Sequence, residues 1–324
     1  MSKQTIVVFG ATGNQGGSVI NSILADSKAS SRFHLKGVTR DPTKESSKAL
    51  ASKGVEVVKA DLNDRRSLHN VIKGAYGVFA VTNFWETFSV ETEIAQGKNI
   101  ADVSKEEGVQ HLVWSSLLNI TKSDPYVLVL AVSKGILPGV YHFDGKAEVE
   151  EYIRSLGIPA TFFLAGFFMS NLPGGGLREN NGKWSLALPM PDNAPIPLLA
   201  AEYDTGKFVK AVFLKKEATL GKQIYGAHAY VTPAKILQDF KEAYLSAGKD
   251  ATYTELPHEV FKGIVASTGA PEIVQEELLQ NMRLIPEFGY YGGASLEPSI
   301  AIVDEPLTTW KEYMKLAPAF ASLK

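Results

Sequence analysis

A run of β-branched and apolar residues, Thr5–Phe9, ends in Gly10-Ala11-Thr12-Gly13-Asn14-Gln15-Gly16, and the apolar-periodic stretch Ser18–Ala25 follows. Strand, glycine-rich turn and helix in that order leave few folds open. Gly10 permits the tight turn, Gly13 lets backbone approach a phosphate, and Gly16 lets helix and strand pack closely. The N–H groups at the start of the helix then face an anion such as a dinucleotide pyrophosphate. A glycine triplet alone is a weak signal, and the flanking strand and helix supply the context it requires. An ordinary strand–turn–helix connection with incidental glycines is the bland alternative. Agreement between several levels favours nucleotide binding over it.

The first half of the chain repeats this alternation. Phe33–Val38, Val55–Lys59, Tyr76–Val81, His111–Trp114 and Ala160–Leu164 read as further strands. Helical patterns over Thr43–Ser52, Arg65–Ile72, Phe88–Glu107 and Tyr141–Leu156 separate them. That spacing means βαβ units and a parallel sheet covered by helices on both faces. After Gly166 the texture changes: Gly174–Gly176 and Pro189, Pro191, Pro195 and Pro197 interrupt periodicity and read as loops with short strands. Helical patterns return over Asp204–Leu214, Pro233–Ala247, Gln275–Met282 and Leu307–Leu316, with short strands at Gln223–Tyr225 and Ala229–Val231. The expected fold is α/β, a doubly wound parallel sheet with a smaller, discontinuous α+β C-terminal lobe. Residues 1–165 form the dinucleotide-binding domain, with about 196–230 returning to it. Residues 166–195 and 231–324 form the lobe.

Composition removes several function classes. The chain has 324 residues and no cysteine, so disulfides, thiolate metal sites and cysteine nucleophiles are out. Its net charge of −2, without a Lys/Arg block, argues against direct nucleic-acid binding. Tyr126–Val132, the longest obvious aliphatic run, is far short of the roughly 20 residues a membrane span needs. No signal-like segment opens the sequence. The six histidines show no metal-ligand spacing, and no P-loop or nucleophile elbow is present. The expectation is a soluble, cytoplasmic protein without a metal, found in the nucleus if it serves as a regulator.

The end of the second strand bears on cofactor choice. It reads Gly37-Val38-Thr39-Arg40-Asp41-Pro42, and an Arg there suits a ribose 2′-phosphate where a carboxylate suits a 2′-hydroxyl. Lys44 and Lys59 add positive charge nearby. Asp41 complicates the reading, because it either caps the next helix or touches a ribose. NADP(H) is preferred, with NAD(H) possible. Thr82, Asn83 and Phe84, at the end of the fourth strand, are expected to line the cofactor's ribose side.

The G-x-x-G-x-x-G spacing resembles the short-chain dehydrogenase/reductase superfamily, particularly its extended and atypical members. The resemblance places Asp61-Leu62 at the adenine-contacting position, although Asp61 could equally cap the helix that begins near Asp64. The superfamily uses a Ser, a Tyr proton donor and a Lys four residues after it. Lys146 is similar to that Lys, which implies contact with the nicotinamide ribose, and Ser115 and Ser116 stand where the Ser would sit. The residue four before Lys146 is His142; Tyr141 is one step off, about 100° away on an α-helix. His142 is either a general acid or a hydrogen-bonded filler at the helix start.

These residues narrow the resemblance to the NmrA-like family of atypical short-chain dehydrogenases. The matching stretches are Val8–Val19, Val38–Asp41, Val113–Ser116, His142–Glu150, Gly166–Asn171 and Asp204–Val209, with Leu307–Tyr313 similar to a closing helix. The resemblance implies a Rossmann domain, a small lobe and NAD(P) binding, often without turnover. Some members are redox sensors that pass the dinucleotide's state to a protein partner such as a transcription factor. Others transfer hydride, some of them without the Tyr. One departure is an apolar insert around Tyr126–Gly135, readable as a lid, a partner surface or an extra strand. Two functions therefore stand. The first is an NADP(H)-binding redox-sensing regulator. The second is an NADPH-dependent reductase of a quinone, enone or other hydrophobic carbonyl, held among Phe84, Phe167, Phe168 and the insert.

Overall fold

In the computed structural model, residues 2–121 and 132–323 are described, and thirteen strands lie among them. In chain order these are β1 Gln4–Val8, β2 Phe33–Thr39, β3 Glu56–Lys59, β4 Gly77–Ala80, β5 His111–Ser116, β6 Ala160–Ala165, β7 Phe167–Phe168, β8 Leu177–Asn180, β9 Lys183–Leu188, β10 Ile196–Leu199, β11 Gln223–Gly226, β12 Ala229–Val231 and β13 Thr252–Glu255. Seven of them form one wholly parallel sheet in the order β11-β6-β5-β4-β1-β2-β3. The chain builds outward from β1 to β3, then crosses back to place β4 on the other side of β1. That reversal opens a crevice beyond the C-terminal ends of β1 and β4, where doubly wound sheets bind ligands.

Alternation along the strands buries both faces of the sheet, as a parallel sheet requires. Ile6, Val8, Phe79, Val113 and Phe163 pack with the helices Asn14–Ala25 and Ala201–Leu214. Val7, Phe9, Val78, Leu112, Trp114 and Phe162 belong to the other core, with the helices Val90–Glu106 and Tyr141–Ser155. This second core runs on without a break into the lobe through Leu186, Phe240, Trp310 and Phe320.

Of residues 196–230, the helix Ala201–Leu214 and β11 join the main sheet, whereas β10 pairs with β7 and β12 outside it. β8 and β9 form a hairpin turned by Asn181-Gly182, both with positive φ (52° and 77°), the pattern a two-residue hairpin favours. The long lobe helix spans Glu272–Phe288, and a capping box between Thr309 and Glu312 starts Trp310–Leu316. Among the described residues no helix is long and apolar enough to cross a membrane. Of the expected insert, Tyr126–Ala131 lie outside the described residues. Val132 donates its amide to Asn119 O at 3.0 Å, and the Ser133 hydroxyl donates to Ile120 O at 2.7 Å.

The helix Ala201–Leu214 crosses Asn14–Ala25 at Gly206, whose amide donates to Ser18 Oγ at 2.9 Å. A Cβ on Gly206 would stand 2.0 Å from the Ser18 carbonyl oxygen. Gly206→Ala is therefore expected to cost at least about 1–3 kcal/mol in urea unfolding, through overpacking against backbone. Gly263 lies in the helix His258–Ala266 with no atom within 4 Å of its Cβ position. Gly263→Ala is expected to add about 0.5–1 kcal/mol in the same measurement.

Candidate functional site

The glycine-rich turn closes in the way its residue types allow. Gly10 holds φ at +62°, and a Cβ there would meet Val81 Cγ1 at 2.8 Å. A Cβ on Gly16 would lie 2.3 Å from the Gly10 carbonyl oxygen, so only glycine lets this helix start against β1. The helix Asn14–Ala25 begins at Gly13, with no side-chain cap and no acidic residue in its first turn. An uncapped helix N-terminus of this length is a favourable place for an anion.

A cleft of about 560 Å³ opens over this turn. Gly10, Thr12, Gly13, Asn14, Gln15 and Gly16 form its floor, and Arg40, Lys44, Asp61, Leu62, Thr82 and Asn83 stand on its walls, as does Phe168. Val38, Thr39, Asp41, Asn63, Val81, Glu86 and Gln96 also line it, as do Phe9 and Ala60. A cradle of glycines, an uncapped helix start and two cations at the end of β2 fit a phosphate-bearing dinucleotide. Lys59 ends β3 away from the cleft wall, close enough to add a small electrostatic pull on Asp41.

Asp41 and Asp61 both make turn contacts while lining the cleft. Asp41 accepts from the Thr43 hydroxyl at 2.6 Å and the Thr43 amide at 2.9 Å, and these bonds hold its carboxyl below the usual range. Asp61 accepts from the Asn63 amide at 2.8 Å, while Asp64 caps the helix Arg65–Ile72.

The residues read as catalytic are differently placed. Lys146 stands behind Thr82: its Nζ donates to Thr82 Oγ1 at 2.9 Å, to the Thr82 carbonyl at 3.2 Å and to Glu93 Oε1 at 2.8 Å. All three ammonium protons are thus engaged within the protein. Lys146 and Glu93 are both buried, and the absence of a Cβ on Gly145 leaves room for the Glu93 carboxylate. Ser115 is buried behind Gln15, to whose Oε1 its hydroxyl donates at 2.9 Å, and Ser116 donates to Glu150 Oε2 at 2.6 Å. Neither hydroxyl is on the cleft wall.

His142 and Tyr141 meet the lobe instead of the cleft. The helix Tyr141–Ser155 has no capping side chain of its own. Glu277, from the lobe helix Glu272–Phe288, accepts the Tyr141 and His142 amides at 3.0 Å each and pairs with His142 Nδ1. Gln280 accepts the Gly139 amide at 2.6 Å. A carboxylate at a helix N-terminus is favourably placed, so this contact both caps the helix and docks the lobe. The His142 ring lies 5.1 Å from Trp85 and 4.8 Å from Phe143. Its Nδ1 is bonded in place at the helix start. Phe84 is buried against Trp85, Phe88 and His142, and Phe167 is buried in β7, so of the three expected pocket aromatics only Phe168 reaches the cleft.

Sequence reading passed over Glu86, Glu93 and Glu277. Each is an ordinary carboxylate in a polar run, and only its partner on another element distinguishes it. Among the described residues no cluster of three or more His, Asp or Glu is arranged to hold a metal.

Comparison with protein families matches residues 2–314 to the NmrA-like family. The NmrA-like family domain-containing oxidoreductase malD of Malbranchea aurantiaca is 33% identical over 270 residues, covering 78% of this chain and 76% of that protein. NmrA, a negative transcriptional regulator solved in complex with NADP, superposes with a TM-score of 0.77 at 22% identity, covering 100% of this chain and 96% of that one. The Citrobacter sp. triphenylmethane reductase complexed with NADP(H) superposes with a TM-score of 0.71 at 20% identity, covering 96% and 99%.

Removing one member of a buried ion pair leaves the other charge unpaired. Lys146→Ala is therefore expected to lower unfolding stability by about 3–5 kcal/mol, and adding Glu93→Gln to recover part of that loss. Chemical denaturation of the two variants checks both numbers.

Proposed function

The chain belongs to the NmrA-like family, and we propose that it binds NADP(H) in the cleft as a redox-sensing regulator that does not turn the dinucleotide over. One observation carries this reading: the cleft presents an anion cradle, while the Lys146 ammonium, the Ser115 hydroxyl and Nδ1 of His142 are already paired inside the protein. The backbone of Gly10–Gly16 would hold the pyrophosphate, Arg40 and Lys44 a 2′-phosphate, Asp61 and Leu62 the adenine side, and Thr82 and Asn83 a ribose. Bound there, the cofactor brings hydride-donating or hydride-accepting capacity. The protein's own groups orient it and exclude water. Lys146 connects the cleft-wall residue Thr82 to the helix Tyr141–Ser155, whose start is held by Glu277 of the lobe. That chain of contacts supports a lobe whose position follows cofactor state and is read by a protein partner such as a transcription factor.

A second reading, an NADPH-dependent reductase of a hydrophobic quinone, enone or other carbonyl, draws support from the oxidoreductase names of the curated relatives. It also has a physical basis in exposed Trp85 and Phe88 beside the cleft-lining residues Asn83 and Glu86. Such an acceptor needs positioning more than a Tyr donor.

Separate titrations with NADPH and NADH, followed by NADPH oxidation over quinones, enones and aldehydes, divide the two. The regulator reading expects binding of NADPH with no oxidation across the panel. Sustained turnover with any acceptor overturns it in favour of the reductase. Arg40→Glu is expected to weaken NADPH binding at least about tenfold while sparing NADH, because a charge-assisted bidentate contact is replaced by repulsion.

A further inference from the structure

Arg40 already has a ligand. Its Nη1 donates to Glu86 Oε2 at 2.8 Å and its Nη2 to Glu86 Oε1 at 2.9 Å, so the terminal fork of the guanidinium is occupied by one carboxylate. Arg40 follows β2, and Glu86 ends the short 3-10 turn Phe84–Glu86 that follows β4, so the pair reaches across the end of β1. Both residues line the cleft. Asn83 Nδ2 donates to Glu86 Oε1 at 3.2 Å and orients the carboxylate toward the arginine.

A phosphate monoester offers a guanidinium the same two-oxygen edge as a carboxylate. We infer that Glu86 is a specificity-determining residue: it occupies the place a ribose 2′-phosphate would take on Arg40, and thereby sets how strongly the protein prefers NADP(H) to NAD(H). The inference rests on the NADP(H) reading above and deepens it.

The two dinucleotides treat the pair differently. A 2′-hydroxyl is a donor, so NAD(H) enters with the Arg40–Glu86 bridge intact and finds in Glu86 an acceptor. A 2′-phosphate must displace the carboxylate from the fork, and the short turn from Asn83 then keeps that carboxylate beside a dianion. Displacement itself costs little, because the Arg40 and Glu86 side chains are 70% and 44% exposed and an exposed pair is weak. The lasting effect is the repulsion, which salt screens. Of the other carboxylates lining the cleft, Asp41 is held by the Thr43 amide and hydroxyl and Asp61 by the Asn63 amide and side chain, and neither contacts Arg40 among the bonds described. Glu86 is therefore the acidic group that opposes the phosphate.

Calorimetric titration of wild type, Glu86→Gln and Arg40→Glu with NADPH and with NADH, at low and high salt, tests this. Glu86→Gln is expected to tighten NADPH binding by about 5- to 10-fold at low salt, with a smaller gain at high salt, and to leave NADH unchanged or weaker. An unchanged NADPH/NADH ratio in Glu86→Gln, with the ratio reduced in Arg40→Glu, overturns the inference and leaves the NADP(H) reading standing. A ratio unmoved by Arg40→Glu shows that Arg40 does not meet the 2′-phosphate, and takes both down together. Glu86 is exposed and its removal opens no cavity, so loss of folding does not confuse the result.

Discussion

Two helix–backbone contacts closer than any side chain permits determine where everything else in this molecule can sit. At Gly16 the first helix rests on the Gly10 carbonyl, and at Gly206 the helix Ala201–Leu214 rests on Ser18 of that same first helix. The first contact aims the helix start at the crevice beside β1. The second clamps it from the outside, with the Gly206 amide bonded to Ser18 Oγ. Because packed interiors yield little, a displacement of either helix would be felt in the turn between them. The anion cradle is thus a consequence of backbone proximity, and its precision does not depend on any single charged side chain.

Behind the cleft the polar groups follow a different logic. Lys146, Oε1 of Glu93 and Thr82 are joined by hydrogen bonds in a region with little solvent, where an unpaired charge is expensive, while Oε2 of Glu93 is buried without a partner. Such a set holds the helix Tyr141–Ser155 against the end of β4. Every hydrogen-bond partner of the Lys146 ammonium in this set is a group of the protein itself. His142 is likewise drawn into the lobe contact by Glu277, which pairs with its ring Nδ1.

What could be read in the residues followed short range. The turn Gly10–Gly16, the strand–helix alternation and Arg40 at the end of β2 depend on neighbours in sequence and on periodicity, and the parallel sheet and the membership of the NmrA-like family agree with them. Asp64 as helix cap and Asn181-Gly182 as hairpin turn obey the same short-range rules. The partners of Glu86, Glu93 and Glu277 were not legible, because a carboxylate on one helix and a cation or amide far away in sequence leave no pattern in either segment. Ser115 and Phe84 show the same limit in reverse: both stand at strand ends where a ligand is expected, and both are turned inward by contacts with Gln15 and with Trp85 and His142.

The clamp at Gly206 also imposes an order on biosynthesis. The glycine-rich turn is made well before the helix that braces it and β11, the last strand of its sheet, both of which come after residue 200. Asp204, at the start of that bracing helix, is bonded in turn to Thr308. A nascent chain therefore carries an incomplete cradle until most of the protein has left the ribosome. Domains that fold as units from the N-terminus normally avoid this delay. Here the brace on the glycine-rich turn arrives late, together with the lobe, so a chain that stops before residue 200 lacks the contact that clamps the first helix.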